Sequence, residues 1–546
     1  MPKLRLNYTS WIVLVVFSIF FVNLDMLHLN MMETRNMLTA REMVNLKHWV
    51  LTTMNNLPRY EKPPLPTWIT AVFGYLFGFK SFVVMRLPAA FISLLATWTI
   101  FKFTPLLKVS RQQAFISTLI FATSFYIIFS GRTNQWDIYT HTFMLICIYF
   151  LWKFFTTDKA LYKNVILAAL FFGFSFMSKG PVSPYALFLP FLLSFGVVYG
   201  FKSFKSRVFP IILFLIIGMG TGGWWFIYAR LADPAAFVET ITVESSRWGS
   251  YNVRPFYYYW SFFVQSGVWT ILAFVSLLFP YLKNRVSNRK AYFFTFLWTI
   301  FSVILLSVIP EKKSRYLLPV LFPLALNTSF YVEYLFRRFK DLPLKETAVV
   351  YFNHGLIALV CIVFPVGAYF VVQPEGSTWV WFIITSVGLL SAGIATIYFL
   401  RKKNYPKVFY SNILIVCIVM SFGFRLADSL HHNPMANPIS NLKTQAKKEN
   451  FNLYEYGSFE PRIIWDYGEP IPLITPENPT LPQEDYFGII FQDKNMEEVE
   501  KLVQGYEIIR EERFDNNIAS PDQRAHRDRL IRNFFLLKEK NADSAD

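Results

Sequence analysis

Long apolar blocks alternate with short polar joints up to about residue 426, and the joints are mostly basic. A helix needs about 20 apolar residues to cross the bilayer core. Runs near that length lie at about 11–29, 83–104, 113–130, 138–157, 162–178, 182–200, 208–230, 257–282, 291–310, 316–336, 349–373, 378–400 and 407–426. The pattern therefore predicts an all-α polytopic membrane domain over 1–426 with about 13 transmembrane helices. The first run has no small-residue cleavage site and leads into Asn23 and Asp25, which predicts an uncleaved anchor rather than a signal peptide. From about 427 the pattern changes. Strand-like pieces at Phe451–Tyr456, Pro472–Ile474 and Asp485–Phe491 alternate with helix-like pieces at about 436–449 and 495–504. A small α/β domain over 427–546 is expected, with its strongly charged last twenty or so residues frayed.

Charge orients the spans. With Lys3 and Arg5 in the cytoplasm, Lys108/Arg111, Lys153/Lys159/Lys163, Lys202/Lys205/Arg207, Lys283/Arg285/Arg289/Lys290, Arg337/Arg338/Lys340 and Arg401/Lys402/Lys403/Lys407 all fall on the same side. That holds only if the shorter apolar stretch at about 66–79 does not cross, which makes it an interfacial, juxtamembrane helix. An odd number of spans then places the C-terminal domain outside the cytoplasm.

Composition narrows the class. Of 546 residues, 54% are hydrophobic and 19% aromatic against 16% charged, which excludes disorder and argues against a soluble enzyme. The net charge of +17 sits in short clusters between apolar runs, not on one folded face, so nucleic acid is not an expected partner and membrane lipid is. Cys147, Cys361 and Cys417 each lie in an apolar run, which indicates neither a disulfide framework nor a thiolate metal site.

Three external connections keep charges that the topological bias would remove. The first carries Glu33, Arg35, Arg41 and Glu42, then Arg59-Tyr60-Glu61-Lys62 before two prolines that fix an extended backbone. It reads either as a solvated amphipathic loop or as part of a site. The second is Gly131-Arg132-Thr133-Asn134-Gln135-Trp136-Asp137. A carboxylate at the membrane boundary needs water, a cation or a helix N-terminus to cap, and Asp137 fits each. The third is scattered: Lys179, Glu244 with Arg247, Arg254 before Pro255-Phe256-Tyr257-Tyr258-Tyr259-Trp260, and Glu311-Lys312-Lys313-Ser314-Arg315-Tyr316. Cations outside a bilayer are either snorkelling anchors or ligands for a phosphate at its surface. Carboxylates, cations and aromatics on one face suit a lipid-phosphate-linked sugar, with a carboxylate as general base and cations on the departing phosphate. The chain has neither GxxxxGK[ST] nor GxGxxG on a βα unit, so no nucleotide is called for.

Met32-Glu33-Thr34-Arg35, Ala40-Arg41-Glu42-Met43, Trp49-Val50 and Tyr60-Glu61-Lys62-Pro63-Pro64-Leu65 resemble the first external loop of the bacterial lipid A aminoarabinose transferase and protein O-mannosyltransferase family. Asp137, Met177-Ser178-Lys179-Gly180, Arg254-Pro255-Phe256-Tyr257 and Lys313 with Tyr316-Leu317-Leu318-Pro319 follow in family order. The resemblance implies a GT-C membrane glycosyltransferase of inverting type in the bacterial inner membrane, with a cytoplasmic N-terminus and a periplasmic C-terminal domain. Its donor would be a polyprenyl-phosphate sugar and its acceptor lipid A, another glycan or a protein. Carried over residue by residue, Glu33 and Asp137 would be catalytic, and Lys62, Lys179, Arg254, Lys313 and Arg315 would hold the donor phosphate. Arg35, Arg59, Tyr60 and Tyr316 would line the substrate cavity. The family usually has Asp-Glu where this chain has Met32-Glu33, and a metal-binding histidine where it has Glu244-Ser245. Glu61 and Glu244 are then what remains for a hard divalent cation through oxygen ligands, and no other cofactor is implied. The competing reading is a transporter or flippase for a lipid-linked sugar. Such proteins place binding groups near the midplane on broken, repeat-related helices, whereas these charges gather at one face.

Overall fold

The computed structural model describes residues 7–201, 207–430 and 433–540. Lys3, Arg5, Lys202 and Lys205 of the sidedness argument lie outside the described residues. The chain forms two compact units, one of Met1–His28 with Tyr60–Ala427 and one of Leu29–Arg59 with Asp428–Asp546.

The first unit is helical. Its polar joints start the helices: Ser81, Ser110, Asn288 and Asn404 each accept the backbone N–H three residues on. Seven described helices are long and apolar enough to cross a membrane: Phe82–Leu107, Trp136–Thr156, Leu161–Lys179, Val208–Ala232, Arg289–Val308, Leu344–Val372 and Thr378–Arg401. An eighth forms if Arg111–Ala122 and Phe125–Arg132, bent by 63°, count as one span. The protein is a multi-pass membrane protein. Shorter apolar helices, Tyr8–Phe20, Leu65–Phe77, Pro184–Val198 and Tyr405–Ser421, complete the set.

Apolar length overstates helix continuity in places. The run at 257–282 is broken into 3-10 turns, Phe256–Tyr259 and Phe262–Trp269, and short helices, Thr270–Ser276 and Phe279–Leu282. Gly267 makes the break. Its φ is +66°, and an added Cβ would stand 2.8 Å from Phe125 Cβ, so only glycine fits. Beside the break, Trp269 Nε1–H donates to Thr123 Oγ1 at 2.8 Å, which holds the broken segment to the neighbouring helix.

Trp136–Thr156 lies at the heart of the unit, 78% of its apolar window buried against 17% for Leu344–Val372. Two fully buried arginines close the end of Tyr8–Phe20 beside it. Arg132 donates to Ile19 O at 2.5 Å and Asn23 O at 2.6 Å, and Arg86 donates to Leu24 O at 2.5 Å. Cations on the carbonyl end of a helix meet both its unpaired acceptors and its dipole.

The second unit joins Leu29–Arg59 to the C-terminal tail. Its hairpin, β1 (Thr53–Met54) and β2 (Leu57–Pro58), turns through Asn55 and Asn56, both with positive φ. The tail forms a sheet of β3 (Asn452–Tyr456), β4 (Leu473–Ile474), β5 (Tyr486–Phe491), β6 (Tyr506–Asp515) and β7 (Ile531–Glu539) in the order β4-β3-β5-β7-β6. β3 pairs parallel to β4 and β5, while β7 is antiparallel to β5 and β6. The expectation of a frayed terminus is corrected here. Ile531–Leu537 is buried between β5 and β6, and Arg532, which disguises the run as polar, pairs with Glu455 at 2.8 Å with both side chains fully buried. Residues 541–546 lie outside the described residues.

Candidate functional site

In the first unit Asp137 occupies the first turn of Trp136–Thr156, whose N-cap position is Gln135. Its carboxylate takes a hydrogen bond from the Lys179 ammonium, and the two side chains are only 7% and 6% exposed. Lys179 ends helix Leu161–Lys179, where the dipole favours a cation, and Gly180 turns the chain away at φ +65°.

The Tyr316 ring gathers the other cations. Lys179 Nζ stands 5.4 Å from its centroid, and Lys313 Nζ and the Arg315 guanidinium each stand 5.7 Å away. Three cations share one aromatic side chain, which draws each toward the ring's quadrupole. Glu311 faces them, accepting from Lys313 Nζ at 2.5 Å and from Tyr316 OH at 3.2 Å.

A short backbone pairing fixes this segment. Val253 bridges Glu311, Arg254 N–H donates to Pro310 O at 3.2 Å, and Lys312 N–H donates to Asn252 O at 3.1 Å. Tyr259 OH accepts from Lys313 N at 2.9 Å and donates to Lys313 O at 3.1 Å. Lys312 is structural, its ammonium on Arg254 O and Ile309 O at 3.0 and 2.6 Å. Arg254 enters through its backbone, and the residue is exposed.

The Glu-Lys-Pro stretch lies in the same unit. Lys62 Nζ is 3.5 Å from Glu244 Oε2, and Arg247 donates to Glu244 Oε1 at 2.9 Å. Tyr60 OH donates to Asp233 Oδ2 at 2.8 Å. Burial first, and that bond second, hold its phenol protonated far above the ordinary range. Lys62 and Arg315 are close enough for their charges to act on Lys179. As for a metal, Glu244 serves two cations, and no group of three His, Cys, Asp or Glu among the described residues is placed to hold an ion. Glu61 and Glu244 alone fall short of the oxygen set a hard cation takes.

Glu33, Arg35 and Arg59 belong to the second unit. Glu33 is fully buried near the start of helix Met31–Asn45, its N–H bonded to Asn30 Oδ1 at 3.1 Å and its Oε2 met by Asn30 Nδ2 at 3.4 Å. Asn30 thus caps the helix through its side-chain oxygen, while its amide nitrogen meets the carboxylate. Arg35 feels the charge of Glu460, and Arg59 donates to Thr39 Oγ1 at 3.4 Å. Two neighbours in the same stretch, Glu42 and Arg41, prove structural. Glu42 ties down the hairpin through Thr53 Oγ1, Asn55 N–H and Asn56 N–H at 2.7, 2.7 and 3.1 Å. Arg41 donates to Trp465 O and Ile464 O at 2.9 and 2.8 Å, at the carbonyl end of helix Pro461–Tyr467, and burial pulls its pKa down to about 10. Asn55 and Ile471 exchange two bonds of 2.8 and 2.7 Å. The Asn-x-x-Glu spacing at Asn30–Glu33 was a readable signal; the partners more than 400 residues away were not.

Residues 61–224 match the family described as dolichyl-phosphate-mannose-protein mannosyltransferase. Two undecaprenyl phosphate-α-4-amino-4-deoxy-L-arabinose arabinosyl transferases, from Proteus mirabilis and Serratia proteamaculans, are each 26% identical over 61% and 65% of this chain. The matches span 60% and 64% of those relatives, less than two thirds of their length. ArnT from Cupriavidus metallidurans superposes with TM-scores of 0.70 in the apo state and 0.67 bound to undecaprenyl phosphate. The apo comparison covers 97% of this chain and 98% of that one at 16% identity, so the fold is shared from end to end. By sequence the chain is similar to the ArnT and protein O-mannosyltransferase group, and it has the GT-C fold that ArnT shows.

Proposed function

We propose that the protein is a glycosyltransferase that moves a sugar from a polyprenyl-phosphate donor to an acceptor hydroxyl at the periplasmic face of the bacterial inner membrane. The N-terminus is then cytoplasmic and the C-terminal domain periplasmic. One observation carries the reading: Lys179, Lys313 and Arg315 surround a single tyrosine ring while Lys179 holds a buried carboxylate. Cations so placed suit a phosphate at a membrane surface, and the carboxylate suits a proton acceptor.

In the reaction the acceptor oxygen attacks the anomeric carbon and its proton passes to Asp137. The bond from that carbon to the phosphate oxygen breaks, and its electron pair leaves with the polyprenyl phosphate. A single displacement inverts the anomeric centre. Negative charge grows on the phosphate as the bond breaks, and Lys179, Lys313 and Arg315 stabilise it there. Glu33 is the second proposed catalytic carboxylate. Lipid A, another glycan or a protein is the acceptor, and the named relatives favour an amino sugar on a lipid.

Asp137→Asn is expected to abolish transfer in reconstituted membranes while the protein stays folded. Glu33→Gln is expected to do the same, since glutamine keeps an oxygen for the Asn30 amide but not the charge. Near-normal transfer by both variants sinks the mechanism. Mass spectrometry of envelope lipids and glycans with and without the protein names the transferred group and the acceptor.

A further inference from the structure

Each lysine of the proposed phosphate site already has a carboxylate of the chain: Lys62 has Glu244, Lys179 has Asp137 and Lys313 has Glu311. The three pairs differ in exposure. Lys62–Glu244 is 19% and 32% exposed and Lys313–Glu311 24% and 11%, whereas Lys179–Asp137 is buried. We infer that Glu244 and Glu311 are exchangeable counter-ions that compete with the donor phosphate for Lys62 and Lys313, so that they set donor affinity without touching the reacting atoms.

The inference rests on the proposed donor site and deepens it. A phosphate needs the same ammonium protons that the carboxylates take and brings more acceptor oxygens; the donor, a diester, carries one negative charge, and the polyprenyl phosphate monoester it leaves carries about −1.5 to −2. Partly exposed pairs are held weakly, so Glu244 and Glu311 yield first. Glu244 keeps Arg247 at 2.9 Å after it leaves Lys62, and Glu311 keeps Tyr316 OH at 3.2 Å after it leaves Lys313. Neither carboxylate is stranded, which makes the exchange inexpensive. The buried pair is last. Once the phosphate draws Lys179 away, Asp137 loses the cation that occupies it and becomes able to take a proton. Donor binding and release of the base are thereby one event, and Asp137 stays occupied until a phosphate is present.

The named cations, Lys62, Lys179, Arg247, Lys313 and Arg315, outnumber Asp137, Glu244 and Glu311. The excess suits the phosphate better after the glycosidic bond breaks, when it carries the greater charge, than before.

The test is the affinity of the full-length protein in detergent micelles for undecaprenyl phosphate, measured by titration calorimetry, with undecaprenol as the probe lacking phosphate. Glu244→Gln and Glu311→Gln preserve shape and one acceptor oxygen each while removing the charge. Either is expected to tighten undecaprenyl phosphate binding two- to fivefold, about 0.4–1 kcal/mol at 1.4 kcal/mol per tenfold, and to leave undecaprenol unchanged. Affinity that is unchanged or weaker in both variants overturns the inference, because the carboxylates then support the lysines and do not compete for them. Equal wild-type affinity for the two probes overturns the donor site itself, a separate failure.

Discussion

The Asp137–Lys179 pair offers a cycle that separates stability from chemistry. Removing one partner of a buried ion pair leaves a charge in low dielectric without compensation, which costs about 3–5 kcal/mol. Both side chains here are under a tenth exposed, so Asp137→Asn and Lys179→Met should each lower stability by an amount near that range. Lys179 retains the Tyr316 face at 5.4 Å, which places Asp137→Asn at the lower end. The double variant Asp137→Asn/Lys179→Met buries no ion. It should recover most of the loss, so the coupling should exceed the loss of either single variant, about 3–5 kcal/mol. Transfer should behave differently. Loss of a general base alone costs about a hundredfold or more, so the double variant is expected to be stable and inactive. Thermal unfolding in detergent micelles gives the first quantity and single-turnover transfer in proteoliposomes the second. Restored transfer in the double variant would make the pair structural only, and strictly additive destabilisation would show that the two groups do not interact.

Tyr316→Phe should leave undecaprenyl phosphate affinity within about twofold, whereas Tyr316→Leu should weaken it at least about fivefold, because three cation–ring contacts of about 0.5–1 kcal/mol each are lost. Equal behaviour of Phe and Leu variants in the same calorimetric assay would refute the role of the ring. Arg41→Met removes two charge-assisted bonds to buried carbonyls, about 3 kcal/mol together, and should raise amide exchange across Met31–Asn45; unchanged exchange contradicts it. Burial pushes the Glu455 carboxyl from 4.5 up to about 7 despite Arg532, and Glu460 shifts in the same direction. A raised folded pKa means that the folded unit keeps a proton the unfolded chain has lost. Stability from this group is therefore fully present below pH 4.5, falls as pH rises toward 7, and is then flat, by up to about 3 kcal/mol. Hydrogen exchange in β3 at pH 5 and 7.5, corrected for intrinsic rates, should show weaker protection at the higher pH, and equal protection would count against the shift.

The membrane domain was legible because bilayer thickness imposes one length on every span, and that length appears directly as apolar runs. Breaks inside a run were not. Gly267 is one glycine among 23, and nothing local marks it as the residue that meets Phe125. The cation cluster was legible for a different reason: the alternation of basic joints marks Lys179, Lys313 and Arg315 as departures from the positive-inside bias. Their shared ring was not, since Tyr316 looked like one of many interfacial aromatics. β7 was misread because the segment around it is charged. Arg532 needs Glu455, 77 residues earlier, before Ile531–Leu537 reads as a core strand.

The first loop shows where a family pattern and a structural demand coincide. Glu33, Arg41 and Glu42 all belong to the stretch that carries the resemblance, yet Arg41 and Glu42 have jobs complete within their own unit. Glu33 likewise meets the side chain of its own N-cap residue, Asn30. A carboxylate in the first turn of a helix is favoured by the dipole whether or not it does chemistry, so position alone carries little weight for catalysis. Asp137 differs. It too stands in a first turn, but its partner is a lysine 42 residues away, and burying that pair carries a desolvation cost that helix capping does not call for. The stronger physical case for a catalytic carboxylate therefore lies with Asp137, and Glu33 depends on the charge-specific loss that only the glutamine variant can isolate.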